Sequence, residues 1–278
     1  MERAAGSAVR RYALGIIGYA AALVFLIPFY FMLVNSVKSF GNILSDAIGW
    51  PRTFLWDNYV RAWAAIDFST VFVNSMIITI FSNLGLIVIS SMAAYRMVRR
   101  PSRLNNLLFI VLVAAMIIPF ESIMIPLVKV MSEMGLMNIR TGLIVSYFGF
   151  GVSLNLFLYH GFIKSIPGEI EESAVIDGCT PYGVFWKIVF PLLKPITVTI
   201  VLLNSLWIWN DFLLPLLVLF DPSIKTIPLT VYAFFGERDK QWDLALPGLV
   251  MGIVPVIVFF LGMQKHIISG ITAGSVKG

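Results

Sequence analysis

Four carboxylates, Glu169, Glu171, Glu172 and Asp177, fall within one polar stretch, Lys164–Pro191, and they are four of the fifteen acidic residues in the chain. Their neighbours carry helix signals. Ser165 can cap a helix, with Pro167 at an early position where its missing N–H costs little. The three glutamates then occupy the first turns, where carboxylates favour the positive end of the helix dipole. Ile170 and Ala174 recur at i, i+4, with Ile166 one turn earlier, which makes a narrow apolar stripe. Gly178 supplies the stop, because it takes a left-handed C′ conformation without strain. Thr180-Pro181 restarts a second, more hydrophobic helix through Tyr182, Phe185, Trp186 and Val189, ending at Pro191. The pattern predicts two short helices bent at Gly178. A helix resting on anionic lipid headgroups carries Lys and Arg on its polar face. This one carries acids, so docking of a protein in the water phase is the favoured reading, with the headgroup-resting helix as its alternative.

A second set lies in a hydrophobic run. Asn204, Trp207 and Asp211 recur at i, i+3, i+7 and share one helical face, whereas Trp209 and Asn210 point elsewhere. Glu121 and Asn155 are further polar candidates in other apolar runs. Tryptophans also anchor helices at membrane edges, and Asn or Asp inside a bundle also joins helices. Catalysis has no visible residues: no GxxxxGK[ST], HExxH or GxSxG pattern occurs. His160 and His266 are too few for a histidine metal site and read as boundary residues. The lone Cys179 excludes an internal disulfide.

The elements that must hold these residues are membrane helices. The chain is 59% hydrophobic and only 13% charged, against about a quarter charged in soluble proteins, so lipid is the solvent for most of it. Its net charge of +5 resides beside hydrophobic runs, which argues for topogenic signals and against nucleic acid. Six runs reach the roughly 20 apolar residues that a spanning helix needs: 12–34, 71–95, 104–128, 143–162, 192–220 and 244–264. The first reads as a retained helix and not a cleaved signal peptide. Arg3, Arg10 and Arg11 precede it. Arg96, Arg99, Arg100 and Arg103 fill the acid-free link between the second and third runs. Lys164, Lys187 and Lys194 flank the fourth-to-fifth link, and Lys265 and Lys277 follow the sixth. The other eight basic residues are spread over longer opposite loops among acids. Both termini and Lys164–Pro191 are therefore expected in the cytoplasm.

The interior of the spans is almost free of charge, and Glu121 and Asp211 are the exceptions, each towards the outer half of its helix. Ion-coupled carriers usually show ionisable relays or broken helices near midplane, and no such relay is visible. Prolines 119, 126, 195, 215 and 255 are expected to kink helices, mostly for bundle packing. The outer loop Asp221–Asp243, with Phe234 through Asp239, is long for a simple link. It reads equally as a contact for a binding protein and as a solvated loop.

The polar segment resembles the cytoplasmic signature of the transmembrane subunits of ABC importers, EEAAxxDGAxxxxxFxxIxxP. Here it reads Glu171-Glu172-Ser173-Ala174, Asp177-Gly178-Cys179, Phe185, Ile188 and Pro191, with Ser173 and Cys179 replacing alanines. Asp57-Asn58-Tyr59, Asn74-Ser75, Ala93-Ala94-Tyr95, Pro119 through Pro126-Leu127 with Gly135-Leu136, Trp209-Asn210-Asp211-Phe212 with Pro215-Leu216, and the ending Gly270–Gly278 look like the carbohydrate-uptake branch, in particular the second permease of maltose- and oligosaccharide-type importers. Arg96 departs, where that branch has a small residue. The resemblance covers about residues 50–278.

It implies an all-α type I importer permease of six transmembrane helices, both termini cytoplasmic, with a coupling-helix hairpin between helices 4 and 5. It also implies partners: a homologous sister permease, two ATPase subunits that carry ATP and Mg, and an extracytoplasmic sugar-binding protein. The chain itself would bind no cofactor and catalyse nothing. Glu171, Glu172, Ala174, Asp177, Gly178, Phe185 and Pro191 would form the ATPase-coupling element, and the Gly270–Gly278 tail would reach the same interface. Asn204, Trp207, Asp211, Asn155 and Glu121 become candidates for the sugar path, which the sister subunit could equally hold. Expected divisions are an N-terminal helix and outer loop (1–70), a translocation core (71–264) and a cytoplasmic tail (265–278), in a bacterial or archaeal cell membrane. A stand-alone secondary carrier or channel is the competing reading, and an embedded enzyme the third.

Overall fold

The computed structural model describes residues 2–236 and 240–275, with side chains for 14–236 and 240–264. All regular structure among them is helical. In chain order the helices are α1 (Glu2–Asn35), α2 (Phe40–Ser45), α3 (Asp57–Ala65), α4 (Phe68–Arg99), α5 (Arg103–Ala114), α6 (Phe120–Glu133) and α7 (Arg140–Ile163). There follow α8 (Glu169–Ile176), α9 (Pro181–Gly183), a π turn (Val184–Val189), α10 (Phe190–Leu192), α11 (Lys194–Asn210), α12 (Leu213–Val218), α13 (Ile227–Val231) and α14 (Trp242–Ser275).

Four helices are long and apolar enough to cross a membrane: Leu14–Asn35, Phe68–Arg99, Arg140–Ile163 and Trp242–Gln264. They match the first, second, fourth and sixth expected runs. The third and fifth runs are not the single helices the hydropathy suggests. Arg103–Ile117 and Phe120–Glu133 meet at 110°. Pro119 makes the break: it pushes Ile118 out of the helical region, to φ −75° and ψ 117°, as a proline does to the residue before it. The fifth run ends at Asn210, where Asp211 turns extended before α12 starts. At its other end α11 meets Pro181–Leu192 at 74°. Pro195 therefore opens α11 instead of kinking a longer helix, since proline is tolerated in a first turn. Glu121 and Asp211, expected inside spans, both stand at these breaks.

The chain divides into two compact units, 1–68 with 231–253 and 69–230 with 254–278. In the first, buried polar side chains fasten the segment after α1. The Lys38 ammonium donates to the Asp46 and Gly49 carbonyls at 2.8 and 2.6 Å. The Asn58 amide donates to the Ser36 and Lys38 carbonyls, and Tyr59 pairs with Ser36. The Asp57-Asn58-Tyr59 motif thus works as a fastener. Helix α1 is exposed along most of its spanning stretch, Tyr19, Leu23 and Phe25 included, and is buried only at its end, at Val34 and Asn35.

In the second unit α4 and α7 approach closely. A Cβ on Gly85 would overlap the Phe148 ring, and one on Gly151 would come within 2.7 Å of Leu86. Small residues let membrane helices meet backbone to backbone. The Asn74 amide donates to the Ser223 and Lys225 carbonyls, and the Ser75 hydroxyl accepts from the Ile227 amide, which secures a loop to the start of α4. Asn138, at φ 57°, accepts from the Phe220 and Asp221 amides. Two apolar cores result. One joins Tyr147, Leu143, Leu86 and Ile208; the other joins Leu156, Tyr159 and Ile163 of α7 to Ala174, Val184 and Phe185.

Candidate functional site

Gly178 ends α8 with two backbone bonds. The Cys179 amide donates to the Ala174 carbonyl and the Gly178 amide to the Val175 carbonyl, both at 3.0 Å. This six-to-one, five-to-two pair is a Schellman motif, which requires the left-handed conformation at C′, and Gly178 supplies it with φ +85°. Thr180 then caps the restart, its hydroxyl accepting from the Gly183 amide at 3.2 Å. The two helices bent at Gly178 are as the sequence predicts. The start of α8 is not: Gly168 precedes it without a side-chain cap. The Ser165 hydroxyl instead donates to the Phe162 carbonyl at the end of α7. The π turn after α9 was also unforeseen, since an inserted residue leaves no composition signal.

The two faces of α8 differ in kind. Glu171 and Ala174, three residues apart, are buried, and Ala174 packs in the core with Ile166 and Phe185. The Glu171 carboxylate accepts from Arg99 Nε at 2.8 Å and from the Tyr95 hydroxyl at 2.8 Å. A second Arg99 nitrogen lies 2.7 Å from the same carboxylate and donates to the Ile166 carbonyl. Tyr95 packs on Phe185 at 5.2 Å, so α4 grips both halves of the hairpin. Glu172, Val175, Ile176 and Asp177 are exposed on the other face. Ile176 is 85% exposed and Ile170 42%, so Ile170 does not share the buried stripe with Ile166 and Ala174. Pro191 is exposed at the start of α10.

The replacements in the signature fit their places. The Ser173 hydroxyl donates to the Glu169 carbonyl one turn back, and Cys179 packs against the core edge. Arg99 and Tyr95 are not among the coupling residues expected from the sequence, where Tyr95 enters only as part of the Ala93-Ala94-Tyr95 resemblance. The arginine reads there only as a topogenic charge, and its pairing is visible only once α4 and α8 are side by side.

The polar set on α11 is brought together in part. The Tyr147 hydroxyl of α7 donates to the Asp211 carboxylate at 2.9 Å, and its ring meets Trp207 edge-on at 5.3 Å. Asp211 also accepts from the Leu213 amide, which holds the break before α12. Tyr147 is a member that the α11 periodicity could not reveal. Asn204 and Asn155 are buried. The Asn204 amide nitrogen and both polar atoms of the Asn155 amide lack a partner among the described residues. Glu121 is exposed in the first turn of α6. Trp209, off the shared face as expected, packs on Phe72 and borders an apolar cavity of about 410 Å³ between α4, α11 and α14. Asp221, outside the spans, has its carboxyl held below the usual carboxylate range by hydrogen bonds from Ser223. Of the outer loop, Glu237, Arg238 and Asp239 lie outside the described residues, as do Val276–Gly278 of the tail and the side chains of Arg3, Arg10 and Arg11.

Residues 85–273 match the family described as the inner membrane component of binding-protein-dependent transport systems. The chain belongs to this family. The permease is 40% identical to a probable starch degradation products transport system permease protein, AmyC, of Thermoanaerobacterium thermosulfurigenes, over 97% of this chain and 98% of that protein. It is 38% identical to the melibiose/raffinose/stachyose import permease MelC of Bacillus subtilis, over 98% and 99%. Among solved structures it resembles a chain of a bacterial ABC transporter that imports alginate, with a TM-score of 0.75 and 24% identity, covering 93% of this chain and 95% of that one. The same fold recurs, at a TM-score of 0.69 and 18% identity, in the alginate transporter bound to a periplasmic protein carrying alginate pentasaccharide. The permease is thus a multi-pass membrane component of an importer.

Proposed function

We propose that the permease is one of two homologous transmembrane subunits of an ATP-driven oligosaccharide importer, and that the hairpin of α8 to α10 is its coupling element. With each broken helix pair counted as one span the chain crosses six times, which returns both termini to one side, and the arginine- and lysine-rich links support the cytoplasm as that side. Residues 71–264 form the translocation core, 1–70 the N-terminal helix and outer loop, and 265–278 the tail. Two ATPase subunits hold ATP and Mg, and closure of their nucleotide sites moves the hairpins as rigid levers. An extracytoplasmic binding protein delivers the sugar. The bacterial relatives support a bacterial cell membrane.

The observation that carries this reading is the division of faces on α8. Glu171 and Ala174 hold the helix to its own chain, which leaves Glu172, Val175, Ile176 and Asp177 for a partner. A mixed acidic and apolar convex face suits a protein cleft better than a headgroup layer. The sugar path is assigned to Trp207 and Asp211 with the buried Asn204 and Asn155 amides; Glu121 is retained as an outlying candidate. Co-purification of the ATPase subunits with tagged permease tests the dock. Gly178→Trp is expected to abolish recovery of the ATPase subunits while the permease stays in the membrane. Full recovery would sink the assignment.

A further inference from the structure

Arg96, where the chain departs from the carbohydrate-uptake branch, is not isolated in the fold. With Arg99 and Arg100 it borders a cleft of about 510 Å³, closed on the hairpin side by Tyr182 and Phe185 and near α4 by Tyr95. Arg99 is neutralised by Glu171. Arg96 and Arg100 are exposed and have no acidic partner among the described residues. Topogenic charge accounts for arginines in this link but not for their gathering round a concavity with two tyrosines; Arg103, in the same link, lies outside the cleft.

We infer that this cleft binds the phosphate headgroup of an anionic phospholipid. A guanidinium fork matches phosphate oxygens bidentately, and two unneutralised forks open on one cavity. Basic pockets between transmembrane helices on the cytoplasmic side bind such headgroups. The cleft also continues onto exposed apolar surface of α4. Met92 lines it, and Val88, four residues earlier on the same face of α4, is 40% exposed. A headgroup at Arg96 and Arg100 therefore has an apolar track along Met92 and Val88 for its acyl chain, which a free anion or an acidic protein loop would not use. Because Pro181, Tyr182 and Phe185 come from the hairpin, a bound lipid bridges α4 to the proposed coupling element. The inference rests on that reading only for the side of the membrane.

The test is lipid retention by the full chain purified from nanodiscs of phosphatidylcholine alone or mixed with phosphatidylglycerol, read by native mass spectrometry. Wild type is expected to retain phosphatidylglycerol selectively, and Arg96→Ala with Arg100→Ala to weaken its binding roughly twenty-five-fold, since each arginine near an anionic surface contributes on the order of fivefold. Arg96→Lys with Arg100→Lys keeps the charge and is expected to retain part of it, which separates lost binding from lost folding. Equal retention by the alanine variant would overturn the site. So would displacement of the lipid by inorganic phosphate at equal concentration, which would make it a free-anion site, or cross-links from Arg96→Cys to an acidic protein segment. Neither ATPase subunits nor sugar enter the measurement, so a failed coupling assignment leaves its result unchanged.

Discussion

Glu171 and Glu172 differ by one position and by the direction their carboxylates take. The first is held by Arg99 and Tyr95 with its side chain 11% exposed; the second points to solvent beside Ile176 and Asp177. Sequence alone groups them, because both fit a first helical turn and only packing against α4 separates them. At Ile176 the exposed face can be tested without disturbing the fold. Burial of a side chain of that size contributes about 1.5–3 kcal/mol, so Ile176→Ser is expected to weaken ATPase-subunit binding tenfold or more in a titration, with permease stability unchanged. Gly178 permits a finer comparison. A Cβ there meets nothing within 4 Å, so alanine costs only the left-handed backbone, about 1–2 kcal/mol, and asparagine less. Thermal unfolding of the purified chain should rank glycine above asparagine above alanine. A ranking with alanine equal to glycine would remove the Schellman motif from the account.

At the scale of elements, four continuous spans were legible because an uninterrupted apolar run leaves the backbone no partner but itself in lipid. The two broken pairs were not. Pro119 was visible, but a proline inside a span is as consistent with a mild kink as with the 110° turn observed. Neighbouring packing decides between them. The same holds for motif residues such as Asn58 and Asn74, whose types announce a constraint but not the loop they fasten. The hairpin itself was legible to its bend, while its attachment to α4 was hidden 72 residues away in sequence. That attachment yields a further expectation. A hydrogen bond to a charged group contributes about 1.5–3 kcal/mol, here towards the lower end because Arg99 is 22% exposed. Glu171→Gln should leave ATPase subunits bound while ATP hydrolysis proceeds with reduced uptake, as a lever loosened at its base would do. Exchange of the pair, Glu171→Arg with Arg99→Glu, should restore part of the uptake. Equal loss of hydrolysis and uptake in both variants would assign the pair to folding alone.

For the whole molecule, the proposed function joins a translocation core to a hairpin whose exposed face is free for a partner. On the proposed function the energy for transport comes from the ATPase subunits, and the sugar passes Trp207 and Asp211. The most direct test is uptake of a labelled oligosaccharide by vesicles that carry the reconstituted importer, with its binding protein on one side and ATP on the other. The account predicts uptake that requires ATP, disappears with Gly178→Trp and falls with Trp207→Ala while the complex stays assembled. Uptake that persists without ATP, or that survives Gly178→Trp undiminished, would contradict it.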